Sequence, residues 1–369
     1  MEPAAPRPLR ILHVSEAFGG GVFEIVKTLA ERLAAGGDSV AIAYGRRPET
    51  PAEVREQVDP AVALTALPWG KRRSPLEQVG AARALRRLVA DWKPDLVHLH
   101  SSFAGVVGTT VLPRRLPKIY TPHGYSFTMA DQSRARRLAY GGLERLTARG
   151  ATLIGAVSEA EARTARTVAP ASKVVVVHNG VPELDDLPEA GPLPPLGEPP
   201  KAIALGRIDG ARLPQQTAGI LAAVSDLAEV AWVGGGGRGD IPPTVVTDQG
   251  VPVTGWVPRP EAQARLREAA ICLHWTAWDG QPLSLLEAMA NDVVVVARDI
   301  EPTREIVGER QVCRSEQEAI ALMRRILTEP ELRQALIESQ RQRRSAYGAQ
   351  RMADAWQELY RRVDGDARP

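Results

Sequence analysis

Two carboxylates bracket a Gly-x-Pro turn in "DGQPLSLLEAMA", residues 279–290, and their placement suggests chemistry before any fold is considered. Pro282 suits the first turn of a helix, which puts Asp279 and Gly280 just before the helix and Glu287 on its second turn. The turn is expected to bring Asp279 close to the backbone N–H groups of Gln281, Leu283 and Ser284. A helix N-terminus offers unpaired N–H donors to an anion, and carboxylates accept hydrogen bonds from hydroxyls. The stretch suits a molecule that combines phosphates with many hydroxyls, as a nucleotide sugar does.

Other candidates fall where helpers for such a ligand would be needed. In "LGRIDGARLPQQT", Arg207 ends an apolar run and Arg212 follows five residues later, so two guanidiniums could grip a diphosphate and neutralise its charge as it departs. Gly20 and Gly21 lie between a strand and a long amphipathic helix, where the backbone can approach a phosphate closely. In "YTPHGYSF", His123 follows a short strand and could hydrogen-bond a sugar hydroxyl while remaining neutral. His13, His98, His100, His178 and His274 lie in or beside apolar strands and are read as structural. The glycine-rich "WVGGGGRGD" (232–240) is expected to run beside a ligand or the other domain. No GxxxxGK[ST], HExxH or Gly-x-Ser-x-Gly element is present, and the dinucleotide fingerprint after the first strand lacks its third glycine.

These residues need a scaffold of strand ends. Val- and Ile-rich runs alternate with helical stretches throughout, as in parallel βαβ units. Strands are read at 9–15, 39–44, 95–100, 118–121, 152–157 and 173–178, with helices at 22–35, 75–90, 134–148 and 158–168. Seven prolines within 181–200 interrupt the pattern. It resumes with strands at 201–206, 229–234, 270–275 and 292–297 and helices near 213–227, 260–269 and 282–290, followed by a nearly all-helical tail from 315 to 363. The expected fold is α/β, with two doubly wound Rossmann-like domains facing a cleft: 1–181 on the acceptor side, a proline-rich linker at 182–200, and 201–345 for the nucleotide sugar. Residues 346–369 return to the first domain.

The 369 residues carry a net charge of +2 and 44% apolar residues, which disfavours disorder and nucleic-acid wrapping. Residues 1–180 hold 25 Lys/Arg against 16 Asp/Glu, so the first half is basic and the remainder acidic. Basic clusters at 71–73, 114–118 and 134–137 are a candidate contact for an anionic membrane surface. Cys272 and Cys313 have no metal-ligand spacing, and no apolar run is long enough to span a bilayer. A cytoplasmic location is expected, peripheral on the inner face of the plasma membrane at most.

Taken in order, the glycine loop, "TPHG", "VSE" (157–159), "HNGV" (178–181), "GRIDGAR", "VTGWVP" (253–258) and "DGQPLSLLEAMA" resemble the retaining glycosyltransferases of family 4, of GT-B fold. "HLHSSFAG" (98–105) is similar to members that build cell-envelope or exported polysaccharides. The resemblance implies Glu287 on the donor ribose, Asp279 at the donor sugar, and the segment Gly280, Gln281, Pro282, Leu283 and Ser284 holding sugar and diphosphate through the backbone N–H groups it has. Arg207 and Arg212 would take the diphosphate, His123 would stand beside the transferred sugar, Trp256 and Val257 near the base, and Gly20 and Gly21 near phosphates and acceptor. The family usually has Glu at 279, Lys at 212 and Pro-Ser at 275–276, where this chain has Asp, Arg and Trp-Thr.

The expectation is a retaining transferase moving a hexose or N-acetylhexosamine from a nucleoside diphosphate sugar, UDP favoured over GDP, to a hydroxyl of a lipid-linked or soluble acceptor. It would need no cofactor, metal or nucleic acid, because the arginines and the helix N-terminus neutralise the leaving group. A secondary-metabolite transferase and a silent sugar-nucleotide-binding protein are the alternatives. A nicotinamide enzyme is disfavoured by the incomplete fingerprint.

Overall fold

The computed structural model describes residues 7–70, 74–128, 133–185, 187, 193, 196–236 and 241–366. The basic cluster 71–73 and residues 237–240 of the glycine-rich loop lie outside them. The chain forms two compact units, one comprising Met1–Pro182 and Ala349–Pro369, the other Glu183–Gly348.

The first unit is a parallel sheet of seven strands: β1 (Arg10–Ser15), β2 (Ser39–Gly45), β3 (Ala63–Leu67), β4 (Leu96–His100), β5 (Lys118–Thr121), β6 (Leu153–Ala156) and β7 (Val174–Val176). Their order is β3-β2-β1-β4-β5-β6-β7. The direction of winding reverses between β1 and β4, the place where open α/β sheets bind ligands. The central strands are buried on both faces, which is why they read as continuous apolar runs. β3 lies at the edge and is half exposed, so "ALTAL" gave no such signal. The helix Ser102–Val111 was also not anticipated, because Gly105 and Gly108 weaken the helical pattern. Both glycines are there for closeness: a Cβ on Gly108 would lie 2.3 Å from Leu99 Cδ2.

The helix Ala349–Asp366 packs on this unit, meeting the helix Gly20–Ala35 and laying Trp356 and Tyr360 over the sheet. Gly155 on β6 makes room for it, since a Cβ there would sit 2.2 Å from the Trp356 ring. Gly155→Ala should therefore cost about 1–3 kcal/mol by overpacking, read as a lower urea midpoint with an unchanged slope. Wild-type stability would show that the helix seat is looser than described.

The second unit is a five-stranded parallel sheet of β8 (Lys201–Leu205), β9 (Glu229–Val233), β10 (Ile271–His274), β11 (Val294–Arg298) and β12 (Val312–Cys313), in the order β12-β11-β10-β8-β9. Here the winding reverses between β8 and β10. β12 is two residues long and escapes sequence patterning. Leu193 and Leu196, from the proline-rich stretch, pack against this unit's core. Both leucines are partly buried. Among the described residues no helix is long and apolar enough to cross a membrane.

Candidate active site

In the second unit the candidates gather where β8 and β10 end. β10 delivers His274, which is 2% exposed, and the loop after it delivers Asp279. A turn at Gly210–Arg212 folds back so that Arg212 Nη1 lies 2.8 and 2.9 Å from the two ring nitrogens of His274, while Nη2 lies 3.7 Å from Asp279 Oδ2. His274 Nε2 is 3.6 Å from the same carboxylate oxygen, and Ser284 Oγ is 3.4 Å from Nδ1. Burial and the Arg212 charge push His274 down to about 4, so it is neutral at neutral pH. Burial alone would raise Asp279, but the contacts with His274 and Arg212 and the N–H of Gly280 hold it below the usual carboxylate range. The result is a guanidinium, a neutral imidazole and a carboxylate locked together at the switch point. The sequence alone reads His274 as structural; its place at the last position of a strand before "WTAWDG" is the signal that points to the site.

The helix that follows, Leu283–Ala290, starts one residue later than expected, with Pro282 as its N-cap in extended backbone. Leu285 N already reaches Pro282 O at 3.2 Å, so it is the amides of Leu283 and Ser284, ahead of the first helical hydrogen bonds, that keep the donor character of a helix N-terminus. Asp279 Oδ1 accepts from Gly280 N at 2.8 Å, so its carboxylate engages the nearest amide of the turn. Gln281 is buried. Glu287, on the second turn, is 8% exposed and accepts from Arg259 Nη2 at 2.8 Å; Arg259 also pairs with Glu183 at 3.0 Å. Arg259, unremarked in the sequence, thus fixes the orientation of Glu287. Arg207 is more open and pairs with Asp209 at 3.7 Å.

The unusual pair Trp275 and Thr276 is fully built in. The indole Nε1 donates to Gln216 Oε1 at 3.1 Å, and Thr276 Oγ1 donates to the carbonyls of Ala211 and Trp278. They anchor the turn that carries Arg212. The glycines after β9 run against the same edge: a Cβ on Gly234 would fall 2.1 Å from Gly206 O, and one on Gly235 2.9 Å from Gly255 Cα. Beside them Trp256 is 70% exposed, an aromatic face open to stacking, and Val257 follows it.

In the first unit, Gly20 opens the helix Gly20–Ala35 with φ +55°, and Gly21 is in its first turn. Beneath that loop Glu16 and Arg47 form a buried ion pair. His123 follows β5 with φ +53°, in the left-handed region, and it is not isolated. Its Nε2 lies 3.0 Å from His100 Nδ1, and His100 Nε2 lies 3.0 Å from His13 Nδ1. His98 bonds Tyr360 OH through Nδ1 and Thr121 Oγ1 through Nε2. Strand alternation puts 98 and 100 on one face, and register sets His13 opposite His98. Burial pushes His123 to about 4 and His13 to about 3, and with their imidazole neighbours lowers His98 and His100 as well. Among the described residues, His13, His98 and His100 are the one cluster with ligand atoms close enough to hold a metal, within 4.8 Å. Five of their six nitrogens already bond protein groups.

Two parallel, doubly wound α/β units and a helical C-terminus make up the GT-B fold. Residues 19–183 match Glycosyltransferase Family 4 and residues 247–343 match Glycosyl transferases group 1, and the chain is a family-4-like glycosyltransferase. It is 25% identical over 316 residues to a Klebsiella pneumoniae protein described as an uncharacterized 41.2 kDa protein in the cps region, covering 82% of this chain and 84% of that one. Sucrose-phosphate synthase from Thermosynechococcus elongatus has the same fold, with TM-score 0.79 and 18% identity over 97% of this chain and 100% of that one. So does Anabaena HepE in complex with UDP and glucose, with TM-score 0.75 and 15% identity over 95% and 99%.

Proposed function

We propose that the protein transfers a sugar from a nucleoside diphosphate sugar to an acceptor hydroxyl with retention of configuration, and that UDP is the carrier. The observation that carries this reading is the meeting of Arg212, His274 and Asp279 with the N-terminus of the helix Leu283–Ala290, one turn before Glu287. The structural relatives described with UDP and UDP-glucose support the choice of base. In this reading Arg212, assisted by Arg207 and the helix amides, takes the charge of the departing diphosphate, so no metal is required. The amides of Gly280, Gln281, Leu283 and Ser284 hold the diphosphate and sugar, with Pro282 shaping the turn. Trp256 and Val257 flank the base, and Gly20 and Gly21 flank the phosphates and acceptor. Asp279 and His123 position the sugar and favour its developing positive character. The acceptor enters from the face the diphosphate leaves, and a donor phosphate oxygen takes its proton.

The test is a thermal-shift panel of UDP, GDP, ADP and TDP, their common sugar conjugates, and NAD, with and without Mg²⁺ or chelator, followed by transfer assays with the stabilising sugar. A ligand at about 100 times its Kd should add about 2.7 kcal/mol. Metal-independent stabilisation by UDP is expected; stabilisation by NAD alone, or by no nucleotide, would overturn the reading. Glu287→Ala should weaken UDP binding by roughly 10- to 100-fold, the worth of a charged hydrogen bond to ribose, and leave the turnover of bound donor nearly unchanged. Unaltered UDP affinity would remove Glu287 from the ribose.

We also propose that the acceptor is lipid-linked and that the first unit touches an anionic membrane surface. The helix Arg134–Gly150 carries Arg134, Arg136, Arg137, Arg145 and Arg149, and its Leu138 and Leu146 are 69% and 48% exposed. Arginine beside exposed leucine suits an anionic interface. Co-sedimentation with vesicles rich in phosphatidylglycerol should exceed that with neutral vesicles and should fall with salt and on Leu138→Ser. Equal binding to both vesicle types would leave the acceptor soluble.

A further inference from the structure

Every ring in the series His13, His100, His123 is neutral at neutral pH, so each carries one hydrogen for its two nitrogens. The two contacts that link them, His13 Nδ1 to His100 Nε2 and His100 Nδ1 to His123 Nε2, are both 3.0 Å, and each needs one hydrogen between its nitrogens. Only two arrangements satisfy both contacts. If His100 carries hydrogen on Nδ1, it donates to His123, whose own hydrogen is then on Nδ1, and it accepts from Nδ1 of His13. If His100 carries it on Nε2, all three are reversed, and His13 must carry hydrogen on Nε2.

His13 Nε2 chooses between them. It is fully buried and, among the described residues, meets no hydrogen-bond partner. A hydrogen there would be a stranded donor, whereas a bare nitrogen leaves only a lone pair unused, and stranded buried N–H groups are the rarer defect. His98 lies against His100 with ring centroids 4.0 Å apart, but its nitrogens are committed to Tyr360 and Thr121, so it does not interrupt the series.

We infer that the chain His13–His100–His123 fixes His123 as the tautomer with hydrogen on Nδ1, so that it presents an N–H donor to a sugar hydroxyl oxygen, and that His100 and His13 are positioning residues for this. The assignment of the ligand rests on the proposed role of His123; the tautomer does not. Both contacts cross from strand to strand or strand to loop at the switch point of the sheet, so the backbone holds the rings in line.

Long-range ¹H–¹⁵N spectra of the ¹⁵N-histidine-labelled full chain decide the tautomer without any activity, with signals assigned through His13→Gln, His100→Gln and His123→Asn. Protonated Nδ1 and bare Nε2 on all three rings are expected. Hydrogen on His123 Nε2, an averaged signal, or Zn²⁺ uptake that shifts His13, His98 and His100 together would overturn the inference. In transfer assays His100→Leu should lower kcat by about 10- to 100-fold with donor KM unchanged, the usual worth of a group that orients a working ligand. His100→Gln keeps an amide donor for His123 Nε2 and should recover most of that loss; equal deficits in the two variants would overturn the positioning role. Were the wild type inactive with every donor sugar, the transferase reading would fail, and the spectra would still decide the chain.

Discussion

Arg212→Leu should lower transfer by about 10²- to 10³-fold, the loss seen when one preorganised group facing developing charge is removed. The side chain is only 22% exposed and is held on two sides by His274 and Asp279, and its guanidinium needs no reorganisation when a diphosphate arrives. Arg207 is 41% exposed with a looser partner, so Arg207→Leu should cost about ten-fold. Arg212→Lys keeps the charge but not the planar fork and should fall between the two. A second readout separates chemistry from misfolding. Without the guanidinium, His274 should titrate above its present value near 4, although burial still holds it below normal. Full activity of Arg212→Leu would remove it from the leaving-group site and shift weight to a silent binding protein.

The second large effect concerns pH. His13 and His123 have folded values of about 3 and about 4 against 6.5 for free imidazole, and His98 and His100 are lowered as well. The unfolded chain therefore binds protons below about pH 6.5 that the folded chain refuses until about pH 4. Stability rises with pH wherever the unfolded state holds more protons, so it should be constant above about pH 7 and fall as pH drops from about 6.5 to about 4. Displacement of His123 alone is worth on the order of 3 kcal/mol and that of His13 on the order of 5 kcal/mol. The sum is smaller than the parts because the first proton taken up disfavours the next. The other groups packed around these rings, Thr121 and the Tyr360 hydroxyl, do not charge in this range. Glu144, raised by burial, acts in the opposite direction as pH rises past its folded value, but it is a single group with a smaller displacement. Urea unfolding of the intact protein near pH 7.5 and near pH 5 measures the difference. Equal midpoints would mean that the histidines are not buried neutral in solution.

Much of the scaffold was legible beforehand. Long Val/Ile runs read as strands buried on both faces, so the central strands were found within a residue or two, whereas the half-exposed β3, the two-residue β12, the glycine-bearing helix Ser102–Val111 and the short helices Val54–Gln57, Thr244–Thr247 and Glu301–Val307 were not. The turn after Asp279 and the helix carrying Glu287 were legible because proline, glycine and a following apolar period act locally.

What the sequence by itself determined is the alternation of elements, the turn and helix that follow Asp279 and the residue types suited to a sugar nucleotide, all of which depend on near neighbours along the chain. Only the tertiary structure decided that His274 stands between Arg212 and Asp279, that Arg259 holds Glu287, and that four histidines read as separate residues form one cluster. The contacts His13–His100, His100–His123, Arg212–His274 and Arg259–Glu287 join residues 23 to 87 positions apart, and they depend on strand order, register and the packing of elements. Spacing in the chain carries no record of which strands become neighbours, because a parallel sheet is assembled through crossovers whose order depends on how all the helices cover both faces at once.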